Sequence, residues 1–393
     1  MKSHPHICSI IPDHMLRHLA EQAAHRERAL RTIATTARLR GHRDVLGRFA
    51  AMGLVAGQER RTIYDAKTQD ALPGTLVRGE GDPDGKDVAV NEAYNYAGNT
   101  YDFYMSAYQR NSVDGQGMRL DSTVHYSQQY DNAFWNGQQM VYGDGDGTIF
   151  GRFTQCLDVI GHELTHGVTQ FTAGLTYQGV SGALNEHMSD VFGSLVKQKT
   201  LNQTADKADW LIGAGLLAPG IKGVAIRSMK APGTAYDDPQ LGKDPQPADM
   251  AHYLNTSQDN GGVHINSGIP NKAFYLVATA IGGNAWEKAG KIWYVTLTQR
   301  LQSNADFQTA ANLTYAVAGE LYGSGGAEQQ AVSAGWSGVG ITVNAGASVA
   351  VTVPAGSPAP ATPAPTVSIT NGKANAKKSP AVKNRVKPSR RRA

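Results

Sequence analysis

His162-Glu163-Leu164-Thr165-His166 is the stretch that decides how this chain folds and what it does. Apolar residues recur around it at the spacing of one helical face (Leu157, Ile160, Leu164, Val168), so we predict that the stretch lies on a helix. Side chains four residues apart share a face, so both imidazoles can bind one zinc ion at ~2.0–2.1 Å. Glu163 lies beside the first imidazole and can reach the open position as a general base.

A catalytic zinc site needs a third protein ligand. We predict Glu186, which follows His166 by 20 positions and so leaves room for a turn and a second helix. Asp190, one turn further on, is expected to accept a hydrogen bond from a ligand imidazole. The alternative for Asp190 is a solvated helix acid. His187 points about 100° away from Glu186 on the same helix and ranks well below it as a ligand.

A glycine-rich polar segment, residues 259–264, precedes another predicted helix and ends in His264. An imidazole there can donate a hydrogen bond to an oxyanion, with Asp259 orienting it. From the residues alone the signal is weak, because a histidine in a loop is more often an ordinary surface residue.

The composition is that of a globular protein of 393 residues, with 41% hydrophobic and 18% charged residues, which is enough for two domains. The net charge of +4 is unevenly distributed, since residues 373–392 are rich in Lys and Arg and contain no acid. Two cysteines, Cys8 and Cys156, do not form a disulfide framework. No apolar stretch approaches the ~20 residues of a membrane span.

The pattern along the chain predicts an α+β protein in several segments. The leader to about residue 48 is helical and Arg-rich, and residues 345–393 form a Pro/Ala-rich linker and basic tail that cannot build a core. A stray strand is conceivable at 347–353. Strands and turns are expected over 62–156, and helices dominate from 157 to about 343. The predicted helices after the leader are 88–108, one beginning at Leu157, 182–199, 268–282, 285–301 and 306–322.

Residues from about Thr62 to Val343 resemble the thermolysin family of neutral zinc metalloproteases. Six ordered motifs carry the resemblance: Asn132–Gly137, Met140–Gly147, His162–His166, Gly182–Asp190, Ile226–Met229 and Gly261–Gly268. In the leader, Cys8–Pro12 and Met15-Leu16 are similar to the short propeptide of the protealysin branch. That branch has a second proline where Asp13 stands here, so the usual propeptide contact is not expected to carry over unchanged.

The resemblance implies a thermolysin-like fold, with a β-rich N-terminal domain, a mainly α-helical C-terminal domain, and the zinc helix and active-site cleft between them. The implied boundaries are 1–50 for the propeptide, 51–156 and 157–343 for the two catalytic domains, and 344–393 for the tail. The activity is that of a zinc metalloendopeptidase made as a self-processing zymogen, with cleavage near residues 48–53.

The resemblance also assigns roles to individual residues, carried over by position. The zinc ligands are His162, His166 and Glu186; the catalytic residues are Glu163, Tyr177, His264 and Asp259, of which Tyr177 and His264 stabilise the oxyanion. Substrate main chain is held by Asn132, Ala133 and Arg227. The pocket after the scissile bond is lined by Phe150, Phe153, Val159 and Ile226, and a bulky apolar residue such as Leu or Phe is expected there.

The family's paired calcium site is expected to be lost. Lys197, Leu211 and Ala214 stand at positions where the family has its calcium-binding side chains, although Asp158 and Asp209 remain. A lysine ammonium in a calcium cage repels the ion. A separate hypothesis is that the Cys8 thiolate approaches the zinc. The alternative, which is more common for a free cysteine, is a buried and inert side chain.

Two rival classes of function stay open at this point. A binding or structural protein with a vestigial metal site is disfavoured by Glu163, because a structural zinc needs no base. A nucleic-acid or anionic-membrane role of the basic tail would be an added function only. We expect protein and peptide substrates and a monomer. A dedicated protein inhibitor is a further candidate partner, because some relatives in the protealysin branch have one. The N-terminus lacks a signal-peptide core, so non-classical secretion is expected, with the cytoplasm as the alternative.

Overall fold

The computed structural model describes residues 9–46 and 58–344. Cys8, the cleavage junction at 48–53, the strand considered at 347–353 and the basic tail lie outside these residues. The helices are α1 Asp13–Glu21, α2 Arg26–Leu46, α3 Val88–Tyr108, α4 Leu157–Gln170, α5 Gly179–Thr200, α6 Asp259–Asn266, α7 Gly268–Ile281, α8 Ala289–Gln299, α9 Phe307–Tyr322 and α10 Ala327–Ser337. The strands are β1 Arg61–Asp65, β2 Thr75–Arg78, β3 Leu120–Val124, β4 Ala133–Trp135, β5 Met140–Tyr142, β6 Leu211–Ile212, β7 Arg227–Ser228, β8 Asp237–Asp238 and β9 Gly242–Lys243.

The five strands of the N-terminal half form one sheet in the order β2-β1-β3-β5-β4. The central strands β1, β3 and β5 are parallel, whereas β2 and β4 pair antiparallel at the two edges. In the outer hairpin, Ala133 pairs with Tyr142 and Trp135 with Met140. The edge strand β4 therefore keeps one side free for another extended chain, and the leader uses it: Ser9 forms an antiparallel bridge to Phe134.

Helix α4 is buried from Asp158 to Thr169, in keeping with its apolar composition on more than one face. It crosses α5 at two glycines. A Cβ at Gly161 would lie 3.1 Å from the Cα of Gly193, and a Cβ at Gly193 would lie 2.5 Å from the carbonyl oxygen of Asp158. Only glycine fits that approach, and the approach brings the histidines of α4 against the acids of α5.

The C-terminal half is helical and packs behind α5. Trp293 of α8 stacks on Trp336 of α10 with ring centroids 6.3 Å apart, and its indole N–H donates to Nε2 of His187 at 2.8 Å. Helix α10 has no counterpart among the predicted helices. Among the described helices, none has the length and apolar character to cross a membrane. The α+β fold, with a strand-containing N-terminal half and a helical C-terminal half, is confirmed.

Candidate active site

Three side chains from α4 and α5 converge on one buried point. Nε2 of His162 lies 3.1 Å from Nε2 of His166. Glu186 approaches both imidazoles, with Oε2 3.5 Å from Nε2 of His162 and Oε1 3.4 Å from Nε2 of His166. Four ligands at ~2.05 Å around a tetrahedral zinc ion stand about 3.3 Å apart, so the spacing suits that metal.

Hydrogen bonds on the far side of each ring orient the lone pairs inward. Nδ1 of His162 donates to Asp190 at 2.8 Å, and Nδ1 of His166 donates to Oδ1 of Asn185 at 2.8 Å. With the proton on Nδ1, the neutral imidazoles direct two Nε2 lone pairs at each other, which is repulsive unless a cation separates them. Oε2 of Glu186 has no hydrogen-bond partner among the described residues. The donor set therefore fits zinc.

Asp190 connects this cluster to other elements of the fold through several hydrogen bonds. Besides His162 it accepts hydrogen bonds from Arg227 at 2.8 and 2.9 Å and from the amide of Asn271 at 2.8 Å. Burial opposes its ionisation, but the charge of Arg227 and the bond from His162 outweigh burial and hold the pKa of Asp190 well below its ordinary value. Asp190 is thus a buried carboxylate with all its partners in place, and the alternative of a solvated helix acid is wrong.

Glu163 lies on the same side of α4 as the two histidines and is completely buried. Its Oε2 accepts a hydrogen bond from the backbone N–H of Trp135 at 3.1 Å. The edge strand β4 therefore positions the carboxylate, and the same strand carries Ala133, whose carbonyl faces the leader.

Tyr177 and His264 are two further polar side chains beside the three converging residues. The Tyr177 hydroxyl donates to Glu186 and lies 3.1 Å from Nε2 of His264. Asp259 binds His264 twice, at Nδ1 over 2.6 Å and at the backbone N–H over 2.8 Å. The expected loop forms the first half of segment α6, where the backbone is a left-handed turn rather than a helix: φ is 52° at Asp259 and 79° at Gly262. That turn allows the Asp259 carboxylate to fold back onto its own helix.

The leader occupies the cleft beside these groups. The backbone N–H of Ile10 donates to the Ala133 carbonyl at 3.1 Å, and Arg227 donates to the Ile10 carbonyl at 3.1 Å. Asn132 accepts from the N–H of Ile11 at 2.9 Å. These leader contacts form although Asp13 replaces the second proline. Asp13 is the first residue of α1 and pairs with Arg17 at 2.7 Å.

The apolar residues predicted for the pocket are all buried. Phe150 and Phe153 have ring centroids 5.9 Å apart. Val159, Ile226 and the leader residue Ile10 are also buried, and all five belong to the main apolar core of the described chain.

Comparison with known proteins agrees with this geometry. The family model for the thermolysin metallopeptidase catalytic domain matches residues 54–170, and the model for the thermolysin metallopeptidase alpha-helical domain matches residues 173–341. The chain belongs to the thermolysin metallopeptidase family. As in that family, it is a zinc metalloendopeptidase, and the predicted resemblance and enzyme class are confirmed.

Individual relatives in the thermolysin family cover most of the chain. An "Extracellular metalloprotease" of Pectobacterium carotovorum subsp. carotovorum is 53% identical over 355 residues, covering 87% of this chain and 99% of that protein. "Protease PrtS" of Photorhabdus sp. (strain Az29) is 55% identical over 293 residues, covering 74% and 78%. Among solved structures, the precursor of protealysin, a metalloproteinase from Serratia proteamaculans, matches with a TM-score of 0.79 and 55% identity, covering 85% of this chain and 100% of that chain.

Lys197, which the resemblance predicts to lie where a calcium site would be, is at the centre of an ion-pair cluster. Nζ of Lys197 lies 2.7 Å from Asp158, 3.0 Å from Asp209 and 2.8 Å from the carbonyl oxygen of Leu211. Burial opposes the charge, but the two aspartates outweigh it and raise the pKa of Lys197. The carbonyl of Ala214 accepts from the Cys156 thiol at 3.5 Å, and burial raises the pKa of that thiol.

Several partners of the thermolysin-family site escaped the sequence analysis. Asn185 precedes Glu186 in the quoted motif, and its role follows once α5 is known to face α4. Asn271 binds both Asp190 and His187 from α7, at 2.8 Å each, and nothing near it in the sequence marks it. His187 points away from the ligands, as predicted, and burial lowers its pKa to about 4.

Proposed function

We propose that the chain is made as a self-processing precursor of an endopeptidase that prefers a bulky apolar residue, Leu or Phe, directly after the scissile bond. The observation that supports this most directly is the leader in the cleft, bound to Asn132, Ala133 and Arg227. While those atoms hold Ile10 and Ile11, no other chain can use them, so the leader blocks the site until it is removed.

We assign the chemistry to four side chains. Zinc held by His162, His166 and Glu186 supplies a Lewis acid and lowers the pKa of a water molecule to about 7. Glu163 takes the proton of the attacking water and passes it to the leaving nitrogen. Tyr177 and His264 donate to the carbonyl oxygen as it gains charge, and the loss of one such donor typically costs ~2.7–4 kcal/mol. Asp259 keeps Nε2 of His264 directed at that oxygen.

We propose that substrates bind as the leader does, with their main chain on β4. Asn132 and Arg227 then hold the residues after the scissile bond, and the side chain of the first one enters the pocket of Phe150, Phe153, Val159 and Ile226. The leader residue bound by Ala133 and Arg227, Ile10, is aliphatic and completely buried, and this supports an apolar preference. The domain boundaries at 50/51, 156/157 and 343/344 belong to the same proposal.

We also propose that the paired calcium site is absent, because the Lys197 ammonium replaces the ion between Asp158 and Asp209. Secretion is proposed because relatives are named extracellular proteases; a non-classical export route, a monomeric state and a dedicated protein inhibitor complete the proposal. Measuring thermal unfolding of the zinc-loaded protein with and without a calcium-selective chelator tests the calcium part, and the curves are expected to coincide.

The decisive experiment is incubation of the purified, zinc-loaded chain with a peptide library, followed by mass spectrometry. Expected results are a new N-terminus near residues 48–53 and library cuts before Leu and Phe. Glu163→Ala is the control, expected to retain zinc and lose both products. Turnover by Glu163→Ala, or cuts before charged residues, would contradict the assignment.

A further inference from the structure

The leader lies along β4, and hydrogen bonds from the Ser9 carbonyl to the Ile11 N–H define its register on the catalytic residues. Ser9 bridges Phe134 in antiparallel fashion. The N–H of Ile10 donates to Ala133, its carbonyl accepts from Arg227, and the N–H of Ile11 donates to Asn132. These are the groups to which the proposed function assigns substrate residues after the scissile bond. Ile10 is therefore in the first of those positions.

The carbonyl one residue earlier lies at the reacting centre. The Ser9 oxygen accepts a hydrogen bond from Nε2 of His264 at 2.9 Å, and the same Nε2 is 3.5 Å from Oε2 of Glu186. His264 is the donor that the proposed function assigns to the oxyanion. The Ser9 carbonyl thus takes the place of the carbonyl under attack, and the nitrogen of Ile10 takes the place of the leaving group.

We propose that the zinc-loaded chain hydrolyses its own Ser9–Ile10 peptide bond, as an event separate from cleavage at the junction near residues 48–53. This inference rests on the proposed function. One water is consumed: its oxygen ends in the new carboxylate of Ser9, and the C–N bond breaks. Glu163 transfers a proton of that water to the Ile10 nitrogen, which becomes a new α-amino group.

The cut does not by itself release the leader. Helix α1 buries Met15, Leu16 and Leu19 in the main apolar core. Further along, Arg28 of α2 pairs with Asp131 at 2.8 Å and with Asp146, two carboxylates whose side chains are 1% and 0% exposed. A product tethered by these contacts stays at high effective concentration over the cleft. The nicked precursor is therefore expected to remain blocked until the junction is also cut.

The test follows the full-length, zinc-loaded chain by intact mass and N-terminal sequencing at several chain concentrations. We expect loss of residues 1–9 and a new N-terminus at Ile10, with a rate that does not depend on chain concentration because the bond lies in the chain's own cleft. Ile10→Pro removes the N–H that Ala133 accepts and is expected to abolish the cut, whereas Ile10→Leu retains it. Glu163→Ala abolishes it while the leader stays seated.

A second readout needs no catalysis. In the chelated, metal-free chain, hydrogen exchange is expected to be slow at the amides of Ile10 and Ile11, and Asn132→Ala is expected to accelerate exchange at Ile11 selectively. Fast exchange at both amides in the unmodified chain would overturn the register. An intact Ser9–Ile10 bond in protein that cleaves added peptides after activation would overturn this inference alone. Failure to cleave either would overturn the proposed function and this inference with it.

Discussion

At the scale of single residues, Lys197 shows how one buried cation joins two helices through ion pairs. Its ammonium lies between the buried carboxylate of Asp158 and the half-exposed carboxylate of Asp209. Lys197 carries its charge on the chain itself, so its pair with Asp158 joins the last turns of α5 to the start of α4. The sequence predicted the loss of the calcium-binding side chains, but it could not predict that the lysine reaches Asp158, since that depends on the crossing of α4 and α5.

Lys197→Met is expected to lower the free energy of unfolding by ~3–5 kcal/mol, because it leaves Asp158 charged, buried and unpaired. Chemical denaturation at neutral pH measures the effect. The control is Lys207→Met, which removes an exposed lysine paired only with its neighbour Asp206 at 3.4 Å; there the change should be below about 0.5 kcal/mol. Equal stability of the two variants would contradict the cluster.

His125 joins the start of α3 to a loop of the sheet. Its Nδ1 binds Asp144 and its Nε2 binds Asp87, the N-cap residue of α3, at 2.9 Å each. The hydrogen bond to Asp144, with that to Asp87, outweighs burial and raises the pKa of His125 from 6.5 to about 9. A raised histidine pKa stabilises the fold fully below the unfolded-state pKa and ceases to do so as the pH rises through the folded-state value.

His125→Gln is therefore expected to cost the most stability below pH 6.5 and progressively less as the pH approaches about 9. Both aspartates are more than one-third exposed, so the effect is small. Denaturation series across this pH range measure it. His252→Gln, at an exposed histidine paired with Asp249 on its own short turn, serves as the control; a difference that stays constant with pH for His125→Gln would refute the linkage.

At the scale of elements, the crossing of α4 and α5 determines whether a zinc site exists at all. The period of apolar residues predicted both helices, and Glu186 was identified as the third ligand from chain distance alone. The closeness of the two helices depends on Gly161 and Gly193, which the sequence analysis did not single out. The contact between two glycines across a helix pair can be recognised only when the register of the two helices is known.

Gly193→Ala is expected to separate α4 from α5, because its Cβ would lie 2.5 Å from the carbonyl oxygen of Asp158 and 2.9 Å from the nitrogen of His162. Overpacking of this kind typically costs 1–3 kcal/mol. Zinc affinity should fall along with thermal stability, and both are measurable on the full chain. Gly85→Ala is the control, because an added Cβ there meets nothing within 4 Å. Unchanged zinc affinity in Gly193→Ala would show that the helix approach is not limiting.

At the scale of the whole molecule, the leader is part of the core rather than an appendage. Sequence analysis predicted its helices and its family, and the fold and ligand cluster followed from ordered motifs. It could not predict which atoms of the rest of the chain the leader contacts. Arg28 and Asp131, for example, pair although they are 103 positions apart, and no local pattern indicates such a contact. Asp131 is strongly desolvated and lies near Asp146, and despite Arg28 these effects raise its pKa to about 7.

Arg28→Gln is expected to loosen the leader, because it leaves Asp131 and Asp146 without their cation. Removal of one partner from a buried charge pair typically costs 2–5 kcal/mol. Activity of the zinc-loaded precursor on an added peptide should therefore appear sooner. Arg31→Gln provides the control, as Arg31 pairs on the surface with Glu27, whose side chain is 92% exposed. The same lag time for both variants would show that Arg28 does not anchor the leader.

The pairing of Ser9 with β4 has a consequence for what this enzyme can attack. In the proposed binding mode the edge strand recognises the peptide backbone, so it accepts a substrate only in extended form. Helices and tight turns do not present an extended backbone of this kind. Native proteins should then resist digestion except where a few consecutive residues can detach from their surroundings. The sites of attack should be those locally frayed segments of the target that also present a bulky apolar residue.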